Sequence, residues 1–349
     1  MHPLAPWGFD DATERLFESA ALPPDLPARV ISAHRSRYRI RCPHAECWAE
    51  PAGRLREIPS DWPAVGDWTV VRPGLGNGPA IIRAVLPRRT HLSRRPPDGS
   101  PGFQVLAANL DCVLVMTSCN LDFSPRRIER FCALAHEGGA EPIIVLSKSD
   151  LCDDPRPFVE QAGAVAPEAP RFLLSAATGA GCDALAAVLL PCKTFALLGA
   201  SGVGKSTLLN RLAGGTHLPT ASVRPEDDRG RHTTTHRELV RLPGGALLLD
   251  SPGVREVGVA DAEEGVERAF AEIADLALRC RFTDCRHGRE PGCAVRGAVD
   301  RERLDAYEKL RREMEFEERK GSAALRSEHK AGVRRIMKAR RRDQRRERE

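Results

Sequence analysis

The stretch Phe195-Ala196-Leu197-Leu198 and its continuation, Gly199-Ala200-Ser201-Gly202-Val203-Gly204-Lys205-Ser206-Thr207, decide the fold. An apolar run of strand length leads into a complete G-x-x-x-x-G-K-S motif, and helical spacing begins near Lys205. The glycines let backbone N–H groups converge on phosphates, Lys205 reaches the β and γ oxygens, and Ser206 offers its hydroxyl to Mg²⁺. The residue frequencies of this chain give roughly one accidental match in two hundred such chains. We therefore expect a phosphate-binding loop here.

Other apolar runs of strand length lie on both sides of this stretch and alternate with segments of helical spacing. The runs are Cys112 to Met116, Pro142 to Leu146, Phe172 to Leu174 and Ala246 to Leu249, and the helical segments include Ser124 to His136 and Asp183 to Leu190. This alternation predicts a doubly wound parallel α/β sheet, in which ligands bind at the carboxyl ends of the strands.

Two motifs that precede the phosphate loop predict recognition of the base. They are Ser147-Lys148-Ser149-Asp150 and Ser175-Ala176-Ala177, and each directly follows an apolar run. The Asp150 carboxylate could accept hydrogen bonds from guanine N1–H and N2–H₂. Adenine lacks those donors in that arrangement, so it would leave a desolvated carboxylate unpaired. Lys148 would lie along the base plane. Ser147 stands where such motifs usually have Asn, so we expect the loss of an amide that braces the base and the phosphate loop.

The segment after the phosphate loop predicts contacts to Mg²⁺ and the γ-phosphate. Asp250-Ser251-Pro252-Gly253 follows the run Leu247 to Leu249, where Asp250 would hold Mg²⁺, directly or through water, and the Gly253 N–H would face the γ-phosphate. The polar stretch Thr216 to His236 predicts a switch whose hydroxyls reach Mg²⁺. The candidates are Thr233, Thr234 and Thr235, with Thr234 assigned to the nucleotide site.

The residue after Gly253 predicts slow hydrolysis. It is Val254, where Ras-type enzymes place a glutamine that orients the attacking water. An apolar side chain cannot do this, so we expect intrinsic turnover of the order 10⁻⁴ to 10⁻² per second. A partner could bring another group such as His232 into place, and this makes His232 the candidate catalytic residue. The alternative is that His232 is an ordinary exposed residue of the switch.

The order of these motifs is itself informative. In an ordinary Ras-like GTPase the base-reading motifs follow the phosphate-binding ones, whereas here they come first. The domain is therefore interpreted as a circularly permuted GTPase. Its new C-terminal boundary falls just beyond the segment that senses the γ-phosphate, so whatever is attached there can respond to the nucleotide state.

A cysteine-rich cluster beyond the switch predicts a structural zinc site. Its pattern is C-x₄-C-x-H-x₅-C, formed by Cys280, Cys285, His287 and Cys293. Three thiolates and one imidazole complete a tetrahedral Zn²⁺ shell and leave no position for catalysis. Folding there should need the metal. By contrast, Cys42, His44 and Cys47 offer three ligands at cramped spacing, which favours an ordinary strand or loop.

The N-terminal region predicts a short helix followed by a small β-barrel. Residues 10–20 have helical character, and alternating runs at Arg37 to Arg41, Trp68 to Val71 and Ala80 to Leu86 suit an OB-type barrel with interleaved basic residues. Such barrels often bind oligonucleotides, although a barrel that serves only as a spacer is the alternative. Pro87 to Pro101, rich in Arg and Pro, predicts a linker.

Length and charge fit a multidomain protein with a polyanionic partner. The chain has 349 residues, which suggests two or three domains, and its formal net charge is +5. The last twenty residues hold ten Lys or Arg against three acids, so the tail predicts binding to a polyanion, although Arg richness can also reflect genomic composition.

Nothing resembles a signal peptide or a membrane-spanning run, so we expect a soluble intracellular protein. Its 11 cysteines are expected to stay reduced or to bind metal.

Taken together, these motifs resemble the RsgA (YjeQ) family of small-ribosomal-subunit-dependent GTPases. The resemblance rests on the permuted order, the cysteine cluster, and three further stretches: Gly230 to Thr235, Arg127 to Arg130 and Ala107 to Asp111. It implies an N-terminal extension at 1–28, an OB barrel at 29–90, a permuted GTPase at 91–260 and a zinc-binding helical domain with a basic tail at 261–349.

The same resemblance implies a role late in maturation of the small ribosomal subunit. The protein would bind near the decoding region and leave after ribosome-stimulated hydrolysis. Its partners would be the small subunit, its rRNA and GTP or GDP, its cofactors one Zn²⁺ and Mg²⁺ with GTP. We expect a cytoplasmic monomer without a membrane partner. A non-enzymatic RNA-binding chaperone that uses GTP only to stabilise its fold is the first alternative, and a P-loop ATPase or small-molecule kinase is the second.

Overall fold

The computed structural model describes residues 2–34, 37–56, 62–74, 76, 78–94, 103–215, 237–250, 263–283, 285–288 and 290–312. A short helix, α1 (Asp11–Ala20), precedes a closed five-stranded barrel. The strands are β1 (Leu26–His34), β2 (Arg37–Arg41), β3 (Glu46–Pro51), β4 (Trp68–Arg72) and β5 (Ala80–Val85). They pair in the order β1-β2-β3-β5-β4, and β4 returns to β1. The predicted OB-type barrel is confirmed, with two strands, β1 and β3, for which no separate alternating run was predicted.

The segment before the barrel is part of its packing rather than a free extension. Leu4 and Phe9 are buried against Trp68, Val70 and Leu86 of the barrel. The Asp10 carboxylate caps α1 by accepting a hydrogen bond of 2.9 Å from the Thr13 N–H. The N-terminal residues therefore cover one side of the barrel.

A second set of strands forms the predicted α/β sheet. Its strands are β8 (Cys112–Ser118), β9 (Glu141–Ser147), β10 (Arg171–Leu173), β11 (Thr194–Gly199), β12 (Arg237–Arg241) and β13 (Leu247–Asp250). Their order is β10-β9-β8-β11-β13-β12, parallel throughout except for β12, which runs antiparallel to β13.

Helices cover both faces of this sheet because its central strands are apolar on both sides. In β8, Val113 and Val115 belong to one buried cluster while Leu114 and Met116 belong to another, as the two-residue period of a strand requires. The first cluster includes α2 (Pro125–Glu137) and α3 (Arg156–Val165), and the second α4 (Cys182–Val188) and α5 (Lys205–Ala213).

The predicted linker from Pro87 to Pro101 contains a strand instead. β6 (His91–Arg94) pairs with β7 (Gln104–Ala108) as an antiparallel hairpin. The His91 N–H donates to the Gly138 carbonyl at 2.9 Å, at the end of α2. Arg and Pro content therefore misled the linker prediction, because backbone pairing with a later strand is not visible in composition.

The barrel and the α/β sheet are joined by strand pairing and by a buried arginine. β1 pairs with β12, with Ser32 opposite Glu238. Arg29, 1% exposed, donates to the Trp7 carbonyl and, at 2.8 Å, to Thr194 Oγ1 at the start of β11. Burial lowers the pKa of this guanidinium to about 10. The N-terminal segment, the barrel and the α/β sheet thus meet at one buried arginine.

The C-terminal module is helical, as predicted, and packs on α2. It contains α6 (Glu263–Ala269), α7 (Ala271–Ala277) and α8, described over residues 301–312. Its core is formed by Phe270, Ile273, Val295 and Tyr307. A Cβ at Gly265 would lie 2.2 Å from the Ala133 carbonyl oxygen, so glycine permits the close contact with α2.

Arg303 fastens this module to the α/β domain. Its guanidinium donates to Glu129 Oε1 on α2 at 2.7 Å, to the Val165 carbonyl at 2.9 Å and to Glu272 Oε1 at 2.7 Å. It also lies over the Phe270 ring, 4.1 Å from the centroid.

The exact boundaries of the four predicted domains stay a prediction. Among the described helices, none combines the length and the apolar character needed to cross a membrane.

Candidate nucleotide site and metal centre

The carboxyl ends of four of the five consecutive parallel strands bring the predicted nucleotide motifs to one edge of the sheet. Ser147 ends β9, the loop that begins at Ser175 follows β10, the glycine-rich loop follows β11, and Asp250 ends β13. Segments about 50 residues apart in the chain are therefore adjacent in space, because β9, β8 and β11 are consecutive in the sheet.

Ser147 connects the predicted base-reading segment to the predicted phosphate loop. Its side chain is buried, and its hydroxyl lies 2.6 Å from the Val203 carbonyl oxygen and 3.0 Å from that of Thr117. One hydroxyl carries one hydrogen, so the two carbonyls share a single donor. The expected loss of a brace to the phosphate loop is therefore wrong in part: the serine hydroxyl still reaches that loop although the amide is absent.

The backbone around Lys148 shapes the turn that presents Asp150. Lys148 has a φ of +59°, in the left-handed region, and a 3-10 turn over Ser149–Leu151 follows it. The Ser149 N–H donates to the Leu174 carbonyl at 3.2 Å, which ties this turn to the segment after β10. The Asp150 side chain is exposed at the carboxyl edge of the sheet. It is thus accessible to a ligand from solvent.

The second base-reading segment is an ordered turn. Ser175 is buried, and its hydroxyl accepts a hydrogen bond of 3.2 Å from the Thr178 N–H, while Ala176 beside it is half-buried. Arg211, on the helix that follows the phosphate loop, donates to the Ala177 carbonyl at 3.4 Å. Arg211 could not be predicted as part of this site, since no sequence motif marks a contact between segments so far apart.

The glycine-rich loop has the backbone of a phosphate-binding turn. Gly202 and Gly204 have φ values of +77° and +97°, which side chains rarely allow. A Cβ at Gly199 would lie 2.6 Å from the Met116 carbonyl oxygen. Lys205 begins α5, and its ammonium donates to the Gly199 and Ala200 carbonyls at 2.8 and 2.7 Å. The ammonium group therefore lies across the glycine-rich loop, held by two of its carbonyls.

The remaining predicted site residues of the loop differ in burial. Ser201 is exposed and Val203 is buried, whereas Ser206 and Thr207 are half-buried in the first turn of α5. The backbone of Asp250 pairs with Leu197 and Glu238 at the end of β13. His232, Thr234, Gly253, Val254 and the rest of the predicted switch fall outside the described residues, as do the basic tail beyond 312 and the side chain of Asp250.

The four predicted metal ligands converge in the C-terminal module. The ligand atoms of Cys280, Cys285, His287 and Cys293 all lie within 4.8 Å of one another. His287 Nδ1 lies 3.7 Å from Cys280 Sγ and 3.6 Å from Cys293 Sγ, and those two sulfurs are 4.0 Å apart. Bonds of about 2.3 Å to a tetrahedral ion separate ligand atoms by about 3.8 Å. The cluster therefore has the size and donor set to hold one metal ion.

Backbone amides lie close to two of these sulfurs. The Ala294 N–H lies 3.4 Å from Cys280 Sγ, and the Arg296 N–H lies 3.3 Å from Cys293 Sγ. Although burial alone would raise it, the pKa of the Cys280 thiol lies below its ordinary value, because amides of residues 294 and 295 donate to the sulfur. A thiolate is the form that binds a metal.

The Ser147 contact makes a testable prediction. We expect Ser147→Ala to weaken GDP binding about fivefold, since a net hydrogen bond is worth about 1 kcal/mol. Isothermal titration calorimetry measures the affinity. Ser32→Ala, which removes a buried hydroxyl from the barrel, is the control and should leave the affinity unchanged. Equal affinity of Ser147→Ala and the unmodified chain would show that the hydroxyl does not support the loop.

Comparisons with known proteins agree with this geometry. The family model described as RsgA GTPase matches residues 85–260. The protein named "Small ribosomal subunit biogenesis GTPase RsgA" of Opitutus terrae is 44% identical over 339 residues, which cover 92% of each chain. Among solved structures, YjeQ from Thermotoga maritima matches with a TM-score of 0.63 and 26% identity, covering 83% of this chain and 98% of that one. YloQ, described as a circularly permuted GTPase, matches with a TM-score of 0.59 and 22% identity, over 84% of this chain and 96% of its own.

Proposed function

This chain belongs to the RsgA GTPase family and is a circularly permuted GTPase that hydrolyses GTP; on that premise, we propose that it acts in late maturation of the small ribosomal subunit. It binds the rRNA of that subunit, the subunit stimulates hydrolysis, and the protein leaves once GTP has become GDP. We place it in the cytoplasm as a monomer.

The nucleotide is held between the base-reading and phosphate-binding segments. The contact of Ser147 with the Val203 carbonyl carries this proposal, because it makes one unit of two segments that are far apart in the chain. Asp150 accepts from guanine, Lys148 lies along the base, and the turn from Ser175 closes over the other edge. The N–H groups from Gly199 to Thr207 bind the phosphates, and Lys205 exchanges its carbonyl contacts for the β and γ oxygens.

Magnesium and the switch complete the site. Ser206, in the first turn of α5, supplies a hydroxyl to Mg²⁺, and Asp250 supplies a carboxylate, directly or through water. The Thr234 hydroxyl reaches Mg²⁺ from the switch, and the Gly253 N–H faces the γ-phosphate. Mg²⁺ neutralises charge on the β and γ oxygens when bound. We assign the orientation of the attacking water to His232, which the ribosome brings into place.

The C-terminal cluster holds structural Zn²⁺ through Cys280, Cys285, His287 and Cys293. Three sulfurs and one imidazole nitrogen suit Zn²⁺ better than Mg²⁺ or Ca²⁺, which prefer oxygen. The four ligands fill a tetrahedral shell, so the ion serves the fold of the module and not the hydrolysis.

Two surfaces of the described residues support RNA binding. On the barrel, Arg37 and Arg39 point outward from β2 beside the exposed ring of Trp48, which lies opposite Arg39 on β3. Around the metal cluster, Phe282 is exposed under the Arg281 guanidinium, 5.6 Å from its centroid. From Arg279 to Arg296 the sequence has five Arg against two acids. Arginine beside an exposed aromatic ring suits phosphates and unstacked bases.

GTP turnover with and without purified small subunits tests the function. We expect subunits to raise turnover at least about tenfold, because the site lacks its own water-orienting glutamine. Lys205→Ala should lower the stimulated rate by about 100-fold by removing a cation from the developing phosphate charge. Lys193→Ala is the matched control, since Lys193 pairs with Asp111 at the opposite end of β11, and it should turn over GTP normally.

Co-sedimentation of the same samples provides a second readout. A non-hydrolysable GTP analogue should retain the protein on small subunits, and GDP should release it. Stimulation below about twofold together with equal retention in both nucleotide states would instead favour an RNA-binding chaperone that needs GTP only for stability.

A further inference from the structure

Two cysteines of the barrel form a close thiol pair that neither the nucleotide site nor the metal cluster uses. Cys42 and Cys47 lie on either side of the turn that joins β2 to β3, and their Sγ atoms are 3.9 Å apart. Neither takes part in a disulfide. From this geometry we propose that Cys42 and Cys47 are a reversible dithiol site, which a low-molecular-weight disulfide oxidises to an intramolecular disulfide.

The strand register explains why the two sulfurs meet. Ile40 is paired with Cys47, and the Cys42 N–H bonds to the Ala45 carbonyl at 2.9 Å. Cys42 and Cys47 are therefore diagonal neighbours on one face of the hairpin. That face points into the barrel core beside Ile40 and Ala49, both fully buried. A disulfide requires the sulfurs to approach to about 2.05 Å, and the site lies next to a hairpin turn, where the backbone can adjust.

The surroundings favour thiol chemistry over metal binding. Within the described ranges, the C-terminal cluster is the one group of three or more His, Cys, Asp or Glu side chains close enough to share an ion. Cys42, His44 and Cys47 do not form such a group.

The two thiols of the pair differ in burial and in pKa. Cys42 is buried, whereas Cys47 is half-buried. The contact between the two sulfurs, in which either thiol can donate, lowers the pKa of Cys47 to about 7, and the same contact raises the pKa of Cys42. Cys47 is thus the nucleophile and Cys42 the resolving thiol.

The reaction has two exchange steps. The Cys47 thiolate attacks one sulfur of a small disulfide R–S–S–R, the S–S bond breaks, and R–S⁻ leaves with the electron pair and takes up a proton. Cys42 then loses its proton and attacks Cys47 Sγ, which expels the second R–S⁻. Two protein thiols are oxidised, and one small disulfide is reduced to two thiols. A thiol reductant reverses both steps.

This site lies directly beneath one of the proposed RNA surfaces, yet the inference does not depend on that function. Trp48 follows Cys47, and Arg39 lies opposite it on the outward face of the same hairpin. Oxidation would therefore link the two strands under this face. If the protein fails to bind ribosomes, the thiol proposal still stands. If the thiols do not form a disulfide, the proposed ribosome binding still stands.

Peptide mass mapping of the full chain tests the proposal. Trypsin cuts after Arg41 and Arg54, so one peptide, 42–54, contains both cysteines and no other. After treatment with oxidised glutathione and alkylation without reduction, we expect this peptide to lack two hydrogens and to carry no alkyl group. Reduction before alkylation should restore two alkylated cysteines.

Two variants distinguish the role of Cys47 as the nucleophile from that of Cys42 as the resolving thiol. In Cys42→Ser we expect Cys47 to stop at the mixed disulfide with glutathione, whereas in Cys47→Ser the buried Cys42 should stay unmodified. Exposed Cys192 reports in every sample that the reagent is active. Unlinked peptide 42–54 in the unmodified chain, while Cys192 has reacted, overturns the proposal whether or not the variants fold. A mixed disulfide on Cys47 that persists despite Cys42 also overturns it.

Discussion

Removal of the metal should unfold the C-terminal module and leave the nucleotide site in place. Cys280, Cys285, His287 and Cys293 connect α7 to α8, and the core behind them is small, formed chiefly by Phe270, Ile273, Val295 and Tyr307. Structural zinc sites contribute about 10 kcal/mol or more to such folds. We therefore expect Cys293→Ala, or treatment with a chelator, to abolish protection from hydrogen exchange across residues 263–312.

Matched measurements show whether the metal or a general loss of stability is responsible. Cys192→Ala, at an exposed thiol, should keep one zinc ion per chain and normal exchange protection. GDP affinity should change by no more than a few-fold in the metal-free chain, since the parallel sheet has its own buried clusters on both faces. Unchanged protection after complete loss of metal, verified by elemental analysis, would refute the structural role.

Asp150→Asn should change the base that the protein prefers. Guanine donates N1–H and N2–H₂ to the carboxylate, and two charge-assisted hydrogen bonds contribute about 3 kcal/mol or more. An asparagine cannot accept both, so we expect GDP affinity to fall by at least about 100-fold. Xanthine carries a carbonyl where guanine has its amino group, and the asparagine N–H₂ can donate to it. The variant should therefore bind xanthosine diphosphate more tightly than GDP.

Asp153→Asn is the control for this exchange, because it removes an exposed carboxylate three residues further along the chain. Its affinities for both nucleotides should equal those of the unmodified protein by calorimetry. If Asp150→Asn also retains its preference for GDP, the base is read elsewhere.

The nucleotide motifs and the fold class were predictable because local patterns determine them. The phosphate loop is a short contiguous motif, and the strands around it show apolar runs that match burial on both faces, as in β8 and β11. The order of the nucleotide motifs along the chain sufficed to predict the circular permutation. The four metal ligands lie within fourteen residues, so their spacing alone predicted the cluster.

Contacts between distant segments of the chain could not be predicted from the sequence. Arg29 and Arg303 look like two of many surface arginines, yet Arg29 is buried and the Arg303 side chain is only 10% exposed, each where domains meet. The pairing of β1 with β12 depends on where two domains come to lie, which no local period encodes. Ser147 was interpreted as a loss because an amide was missing, whereas its effect depends on the 2.6 Å approach of the Val203 carbonyl.

The central claim is that Asp150 and Lys205, from separate parts of the chain, hold one guanine nucleotide. Displacement of a fluorescent GDP analogue from the unmodified protein tests it most directly. Unlabelled GDP should displace the analogue at comparable concentration, whereas ADP should fail at about a 1000-fold excess, because adenine would leave the Asp150 carboxylate unpaired. Equal displacement by ADP and GDP would contradict the account.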